Sequence, residues 1–167
     1  MTPPFRLEPL SDRHDRAAFT CGEEALDRYL RTQATQDMRR RIASCFIALE
    51  TMSGRLTGYY TIAAASIPAP QLPPEMRKCL PRYPTLPAVR IGRLAVDLNF
   101  RGRGLGAALL ADAVNRTLQA PPAVFALLVN AKNDDAVAFY QRYGFRPFAS
   151  EPRTLFLPMA TAEKILL

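Results

Sequence analysis

The chain has 167 residues, 49% of them apolar, and a net charge of +7 at pH 7, which suits one globular domain over residues 1–167. Cys21, Cys45 and Cys79 are too few and too widely spaced for a disulfide scaffold or a thiolate metal site, and the single histidine, His14, excludes a multi-histidine metal centre. With no signal-peptide h-region and no apolar run of membrane-spanning length, the expectation is a soluble cytoplasmic protein with reduced thiols, no metal and no membrane partner.

The positive charge is mostly arginine, since Lys78, Lys132 and Lys164 are the only lysines. Arginine forks onto phosphate and stacks on bases, which favours a polyanionic partner beyond any cofactor. The base composition of a genome accounts for the same excess equally well, so charge by itself proves no nucleic-acid binding.

From the N-terminus, Phe5 to Leu10 predicts a short edge strand, limited by Pro3, Pro4 and Pro9. His14 is expected at the surface. Gly22-Glu23-Glu24 opens a helical pattern with Leu26, Tyr29 and Leu30 on one face, continuing, with a break allowed, to Arg41. The Arg39-Arg40-Arg41 triplet reads either as a solvated helix end or as an anion contact. Ser44 to Thr51 and Leu56 to Ile67 are strand-like runs around Met52-Ser53-Gly54-Arg55, which predicts an antiparallel hairpin. Prolines 68, 70, 73, 74, 81, 84 and 87 then exclude a central strand and limit any helix to a short piece such as Glu75 to Leu80. Arg77, Lys78 and Arg82 make that stretch basic, so it is either a border of the active site or a surface insertion.

Val89 to Leu118 is the stretch around which the rest is organised. Val89 to Val96 predicts a buried strand, and Leu105, Leu109, Leu110, Val114 and Leu118 recur at the spacing of an amphipathic helix. Between them, Arg101-Gly102-Arg103-Gly104-Leu105-Gly106 allows positive φ and lets backbone amides converge on one anion, with the helix dipole behind them. Arg101 and Arg103 can add charge. The loop is not of the Walker A type, because it ends Gly106-Ala107-Ala108 rather than Gly-Lys-Ser/Thr. Gly102-x-Gly104-x-x-Ala107 satisfies a loose dinucleotide fingerprint, but Asp97 to Arg101 lengthens the turn and no acid ends the next strand. A plain tight connection also fits the loop taken alone.

Pro121-Pro122 closes the helix, and Val124 to Asn130 is a second buried-type strand, so a parallel or splayed pair is predicted. Asn133 to Phe145 reads as a compact helix capped by Asn133, with Asp134 and Asp135 at its start and Gly144 at its left-handed end. Phe145 to Ala149 and Thr154 to Leu157 finish as short strands.

Two of these segments carry a resemblance. Arg101-x-x-Gly104-x-Gly106 behind a strand resembles the acetyl-CoA loop of the GCN5-related N-acetyltransferases (GNAT), and Asn133-x-x-Ala136-x-x-Phe139-Tyr140-x-x-x-Gly144-Phe145 resembles that family's second signature. The resemblance covers Ser44 to Leu157 and is sharp from Ile91 to Phe145. It implies an α/β fold with a mixed central β-sheet, a splayed parallel strand pair at about residues 89–97 and 124–130, and flanking helices. It also implies acetyl-CoA as cosubstrate, its pantetheine beside the backbone of Leu94, Ala95 and Val96 and touched by Asn133. The pyrophosphate would lie on the amides of Arg101, Gly102, Arg103, Gly104, Leu105, Gly106 and Ala107. Tyr140 is implied as the acid that protonates the departing CoA thiolate. A tyrosine pKa of about 10 against about 8.5 for a thiol requires that it be well positioned or that its pKa be lowered. Core packing with Phe139 and Tyr143 is the alternative reading of Tyr140.

A narrower resemblance joins Phe19-x-Cys21-Gly22-Glu23-x-x-Leu26-Asp27-x-Tyr29-Leu30, Gly58-Tyr59-Tyr60-Thr61, Leu80-Pro81-Arg82-Tyr83-Pro84, Gly92-Arg93-Leu94-Ala95-Val96-Asp97 and Leu157-Pro158-Met159. Together these are similar to acetyltransferase toxins of bacterial toxin–antitoxin pairs, which block translation by acetylating the α-amine of aminoacyl-tRNA. The implied partners are aminoacyl-tRNA, a ribbon-helix-helix antitoxin and a second copy of the chain in a homodimer. A tRNA substrate would give the basic residues a purpose, with Arg77, Lys78, Arg82, Arg90, Arg93 and Arg142 as candidate contacts flanking the predicted cleft. An α-amine of pKa about 7.7–8.0 needs no strong general base, and the chain offers no obvious one. Acetylation of a small amine or protein N-terminus, and a non-catalytic CoA-binding regulator, are the alternative readings.

Overall fold

The computed structural model describes residues 3–166. Seven strands, β1 (Phe5–Pro9), β2 (Ser44–Glu50), β3 (Leu56–Pro68), β4 (Thr85–Val96), β5 (Ala126–Asn130), β6 (Arg146–Pro147) and β7 (Thr154–Pro158), form one mixed sheet in the order β1-β2-β3-β4-β5-β7-β6. The helices are α1 (Glu24–Arg28), α2 (Ala34–Arg39), α3 (Pro74–Arg77), α4 (Leu105–Gln119), α5 (Asp134–Arg142) and α6 (Met159–Leu166). The expected hairpin is β2–β3, antiparallel from Ser44↔Ile62 onward. The expected parallel pair is β4–β5, in register from Ala88↔Ala126 to Ile91↔Val129, while β4 itself runs on to Val96. A parallel pair needs a long crossover, and α4 supplies it.

The chain gathers into two compact units, one from residues up to 63 with 92–113, the other from 64–91 with 114 onward. The first has a core of Phe19, Tyr29, Leu30, Ile47, Leu56, Tyr59 and Ala95, in which Phe19 meets Tyr59 edge-on at 5.7 Å. The second is built on Ile67, Leu72, Leu86, Ala88, Leu128, Phe148 and Phe156. β2 gives the first cluster Cys45, Ile47 and Leu49 at alternate positions, as the pleat requires, whereas its β3 residues Leu56 and Tyr59 are three apart across a register shift.

Several expectations are corrected. β4 begins at Thr85, so Pro87 lies inside a central strand that the prolines were expected to exclude. It is tolerated because it precedes the first residue in register with β5, and its carbonyl still accepts the Phe125 N–H at 2.8 Å. β4 is not buried on both faces either: Leu86, Ala88, Ile91 and Ala95 are buried while Arg90 and Gly92 are exposed. The helix expected to run, with a break allowed, to Arg41 is interrupted after α1 by a π-helical turn Tyr29–Gln33 and continues as α2, which ends two residues short, at Arg39. Arg41 has φ +60° and turns the chain away.

His14 is not a surface residue. Its side chain is 4% exposed, its Nδ1 accepts the Ser11 N–H at 2.9 Å, and its Nε2 donates to Glu8 Oε1 at 2.6 Å. That bond, with help from Arg13 and Arg6, holds the Glu8 carboxyl below the ordinary carboxylate pKa. The C-terminal helix α6 was not foreseen. No described helix is long and apolar enough to cross a membrane, and no described group of three or more His, Cys, Asp or Glu residues is placed to hold a metal ion.

Candidate functional site

In the first unit, β4 delivers the glycine loop to the start of α4. Asp97, at the strand's end, is fully buried and accepts the N–H groups of Thr20 at 3.2 Å and Asn99 at 2.9 Å. Leu98 N–H donates to the Thr20 carbonyl at 2.9 Å, and Arg101 Nη2 donates to the Cys21 carbonyl at 2.6 Å. The Thr20–Cys21 segment is therefore clamped to both ends of the turn that precedes the loop. Gly102 and Gly104 each have φ +77°, and a Cβ at either would meet nothing within 4 Å. Glycine is required there for its backbone, not for space.

The first bond of α4 runs from the Ala108 N–H to the Gly104 carbonyl at 3.1 Å. Hence the amides of Leu105, Gly106 and Ala107 have no carbonyl four residues back to bond and stand at the positive end of the helix dipole. Amides so arranged can bind an anion. The arginine side chains are engaged within the chain: Arg101 braces Cys21, and Arg103 pairs with Glu50 at 3.4 Å while lying 4.8 Å from the centroid of the Phe100 ring. Just upstream, Ala95 is buried while Leu94 and Val96 are half-buried.

Arg93 is also committed. Its guanidinium sits 3.5 Å from the centroid of Tyr29, whose hydroxyl donates to Asp37 Oδ2 at 2.8 Å. Gln33 Nε2 holds the other oxygen of Asp37 at 3.0 Å. Those bonds, Gln33 first, lower the Asp37 pKa, whereas burial raises that of Tyr29. Tyr29 and Gln33 are the first and last residues of the π-helical turn. Arg93 is thus stacked on a tyrosine that is itself tied to Asp37 and Gln33.

In the second unit, α5 is stopped at both ends by hydrogen bonds that the sequence announced. Asn133 Oδ1 accepts the Ala136 N–H at 2.8 Å. At the other end Gly144, with φ +95°, donates to the Gln141 carbonyl at 3.1 Å, and Phe145 donates to the Tyr140 carbonyl at 3.2 Å. This is a Schellman motif, and its usual apolar contact is the edge-on pair Tyr140–Phe145 at 5.3 Å. Phe139 packs edge-on at 5.1 Å on the other flank. Tyr140 is 7% exposed, and burial pushes its pKa up to about 12. Of the two requirements, positioning or a lowered pKa, the pKa is raised rather than lowered, which leaves positioning as the one the surroundings of Tyr140 can serve.

Arg77, Lys78 and Arg82 do come together, on a groove of about 360 Å³ beside α3. Arg90 on β4 and Arg142 in the last turn of α5 are exposed but are not among the residues lining it. Asp97 and the Tyr29–Asp37 pair escaped the sequence reading. The Asp97-Leu98-Asn99 pattern was the available signal for the first, since aspartate accepts the amide two residues on in an Asx turn. The Tyr29–Asp37 pair left none, because helical periodicity puts residues eight apart on one face only roughly.

Residues 17–161 match the family model described as an acetyltransferase (GNAT) domain. The chain is 35% identical over 159 residues, 94% of its own length and 93% of the relative's, to the tRNA-acetylating toxin of Mycobacterium tuberculosis. Among solved structures, AtaT complexed with acetyl-methionyl-tRNAfMet is similar at a TM-score of 0.90 and 32% identity, over 98% of this chain and 99% of that one. A tyrosine-to-phenylalanine mutant of AtaT bound to the C-terminus of the antitoxin AtaR and acetyl-CoA is similar at a TM-score of 0.78 and 28% identity, over 98% and 99%.

Proposed function

Since the chain belongs to the GNAT acetyltransferase family, we propose that it is an acetyl-CoA-dependent N-acetyltransferase toxin that modifies the α-amino group of aminoacyl-tRNA and so blocks translation. The observation that carries this reading is the likeness, over 98% of the chain at a TM-score of 0.90, to a relative solved with an acetylated methionyl-tRNA. Residues 1–167 are read as one catalytic domain, because a single family model spans segments of both units.

The residues present fit acetyl-CoA. A pyrophosphate needs N–H donors in a positive potential, and the amides of Leu105, Gly106 and Ala107 at the start of α4 offer both. Leu94, Ala95 and Val96 offer the pantetheine arm a length of strand backbone. Asn133 offers Nδ2, the half of its carboxamide that the cap does not use. Bound acetyl-CoA supplies an acyl thioester with a thiolate leaving group. Tyr140 donates its hydroxyl proton toward that departing sulfur. Burial keeps the hydroxyl protonated at neutral pH, so the donor is always loaded. The acceptor nitrogen would lose its surplus proton to solvent as the carbon–sulfur bond breaks, and the Tyr140 phenolate would be reprotonated from solvent. The acceptor amine needs little help, because an α-amine is substantially neutral near its pKa of about 7.7–8.0.

The same reading makes the silencing partner a ribbon-helix-helix antitoxin, the active form a homodimer and the compartment the cytoplasm, where charged tRNA is found. Antitoxin binding by AtaT supports an antitoxin as the partner, and the three free thiols agree with the cytoplasm. Acetyl-labelled acetyl-CoA incubated with charged and uncharged total tRNA tests the central claim. Label should appear on charged tRNA alone and fall by about 10²–10⁴ in Tyr140→Phe, with acetyl-CoA binding retained. Label on a small amine or a protein N-terminus, and none on charged tRNA, would overturn it.

A further inference from the structure

The groove beside α3 carries more than phosphate binding requires. Tyr83 lines it with 61% of its surface exposed. Pro81 and Pro84 fix the backbone on either side, and the Tyr83 N–H donates to the Pro81 carbonyl at 2.9 Å. The ring is therefore displayed from a stiff, tight turn, and holding it in place costs little conformational entropy. Leu72 and Leu86 are buried and give the groove an apolar floor. Arg77, Lys78 and Arg82 supply its charge, and none of the residues lining it is acidic.

An exposed aromatic plane, an apolar floor and clustered cations together select a flat ring joined to a phosphodiester. Duplex nucleic acid does not present such a ring, because its bases are already stacked on one another. Unpaired nucleotides do. At about 360 Å³ the groove is in the range of small-molecule sites, ~300–1,000 Å³. In a charged tRNA the unpaired nucleotides nearest the reacting amine are those of the 3′ end, to which the amino acid is esterified.

We propose that Tyr83 is a stacking platform for an unpaired nucleobase of the tRNA 3′ end, with Arg77, Lys78 and Arg82 neutralising the adjoining phosphates. The assignment rests on the aminoacyl-tRNA reading and gives that substrate a specific contact. Stacking and charge leave different signatures in salt. Loss of a phosphate contact reduces the slope of log affinity against log salt by about one charge, whereas loss of a stacked ring lowers affinity at every salt concentration with the slope unchanged.

The test uses the full-length protein and its Tyr83→Ala, Tyr83→Phe and Arg82→Ala variants. KM and kcat are measured for charged tRNA and for acetyl-CoA over a salt series. Binding of a short unpaired oligonucleotide ending in CCA, labelled with 2-aminopurine, is titrated in parallel. Tyr83→Ala should raise KM for charged tRNA roughly fivefold to a hundredfold. Its salt slope, its kcat and its KM for acetyl-CoA should stay unchanged. Tyr83→Phe keeps the ring and should behave as wild type, and Arg82→Ala should flatten the salt slope. An unchanged KM in Tyr83→Ala overturns the proposal, as does Tyr83→Phe being equally impaired, since that would assign the effect to the hydroxyl. Loss of antitoxin neutralisation in Tyr83→Ala with KM intact would give the groove to a protein instead. Should wild-type protein leave charged tRNA unlabelled, the substrate reading fails by itself, and quenching of the oligonucleotide by wild type but not Tyr83→Ala still decides the stacking claim.

Discussion

Tyr140 meets two demands that pull against each other. A proton donor to a thiolate benefits from a low pKa, yet burial pushes this hydroxyl up to about 12. What burial provides is a donor that stays protonated throughout the physiological range and whose ring is held by Phe139 and Phe145. The sign of the pH effect follows. The folded state holds this proton more tightly than the unfolded chain, whose tyrosine titrates near 10, so the stability involved is complete below about pH 10 and is lost as pH rises toward 12. For activity, kcat/KM should climb between about pH 7 and 9 as the substrate amine loses its proton, and should then stay level to at least pH 10. Tyr140→Phe should show the same climb at a lower rate. A fall in rate between pH 8 and 10 that disappears in Tyr140→Phe would show instead that bound substrate lowers the tyrosine pKa.

At the scale of elements, the glycine loop owes its shape to Asp97. Each carboxylate oxygen takes one backbone N–H, from Thr20 and from Asn99. Asparagine at 97 keeps one acceptor and turns an NH₂ toward the other donor, leaving a buried N–H without a partner. Asp97→Asn should therefore cost about 1–3 kcal/mol in urea unfolding and raise KM for acetyl-CoA, with kcat at saturating acetyl-CoA little changed. Equal loss in kcat would place Asp97 in the chemistry rather than in the support of the loop. Local signals made this part of the fold readable beforehand. The glycines at positive φ, the Asn133 cap and the Gly144 stop each act within a few residues, so the sequence around them shows what they do. What stayed hidden depends on partners farther along the chain: His14 is hydrogen-bonded by Glu8 and Ser11, Tyr29 by Asp37, and Pro87 is accepted into β4 because of where β5 begins. The intramolecular partners of Arg101, Arg103 and Arg93 were hidden for the same reason. An arginine's sequence shows its charge but not the carbonyl, carboxylate or ring that will occupy it.

For the molecule as a whole, the +7 charge divides into engaged and outward-facing arginines. Arg93, Arg101 and Arg103 are tied into the first unit, whereas Arg77, Lys78 and Arg82 face one groove in the second. Affinity for charged tRNA should fall linearly in log–log plots against salt, and Arg77→Glu combined with Lys78→Glu should lower that slope while sparing KM for acetyl-CoA. Parallel loss of acetyl-CoA binding would show that the groove supports the fold or the cosubstrate rather than the RNA.

The two stops of α5 bear on how this chain can change. The cap at Asn133 and the Schellman turn at Gly144 fix the number of residues between them, and the Tyr140 carbonyl is itself one of the acceptors. Adding or deleting a single residue inside that span would rotate the tyrosine by about 100° relative to one end. The segment can accept substitutions but not changes of length. Any variant library or family of descendants that keeps the activity must take its insertions elsewhere.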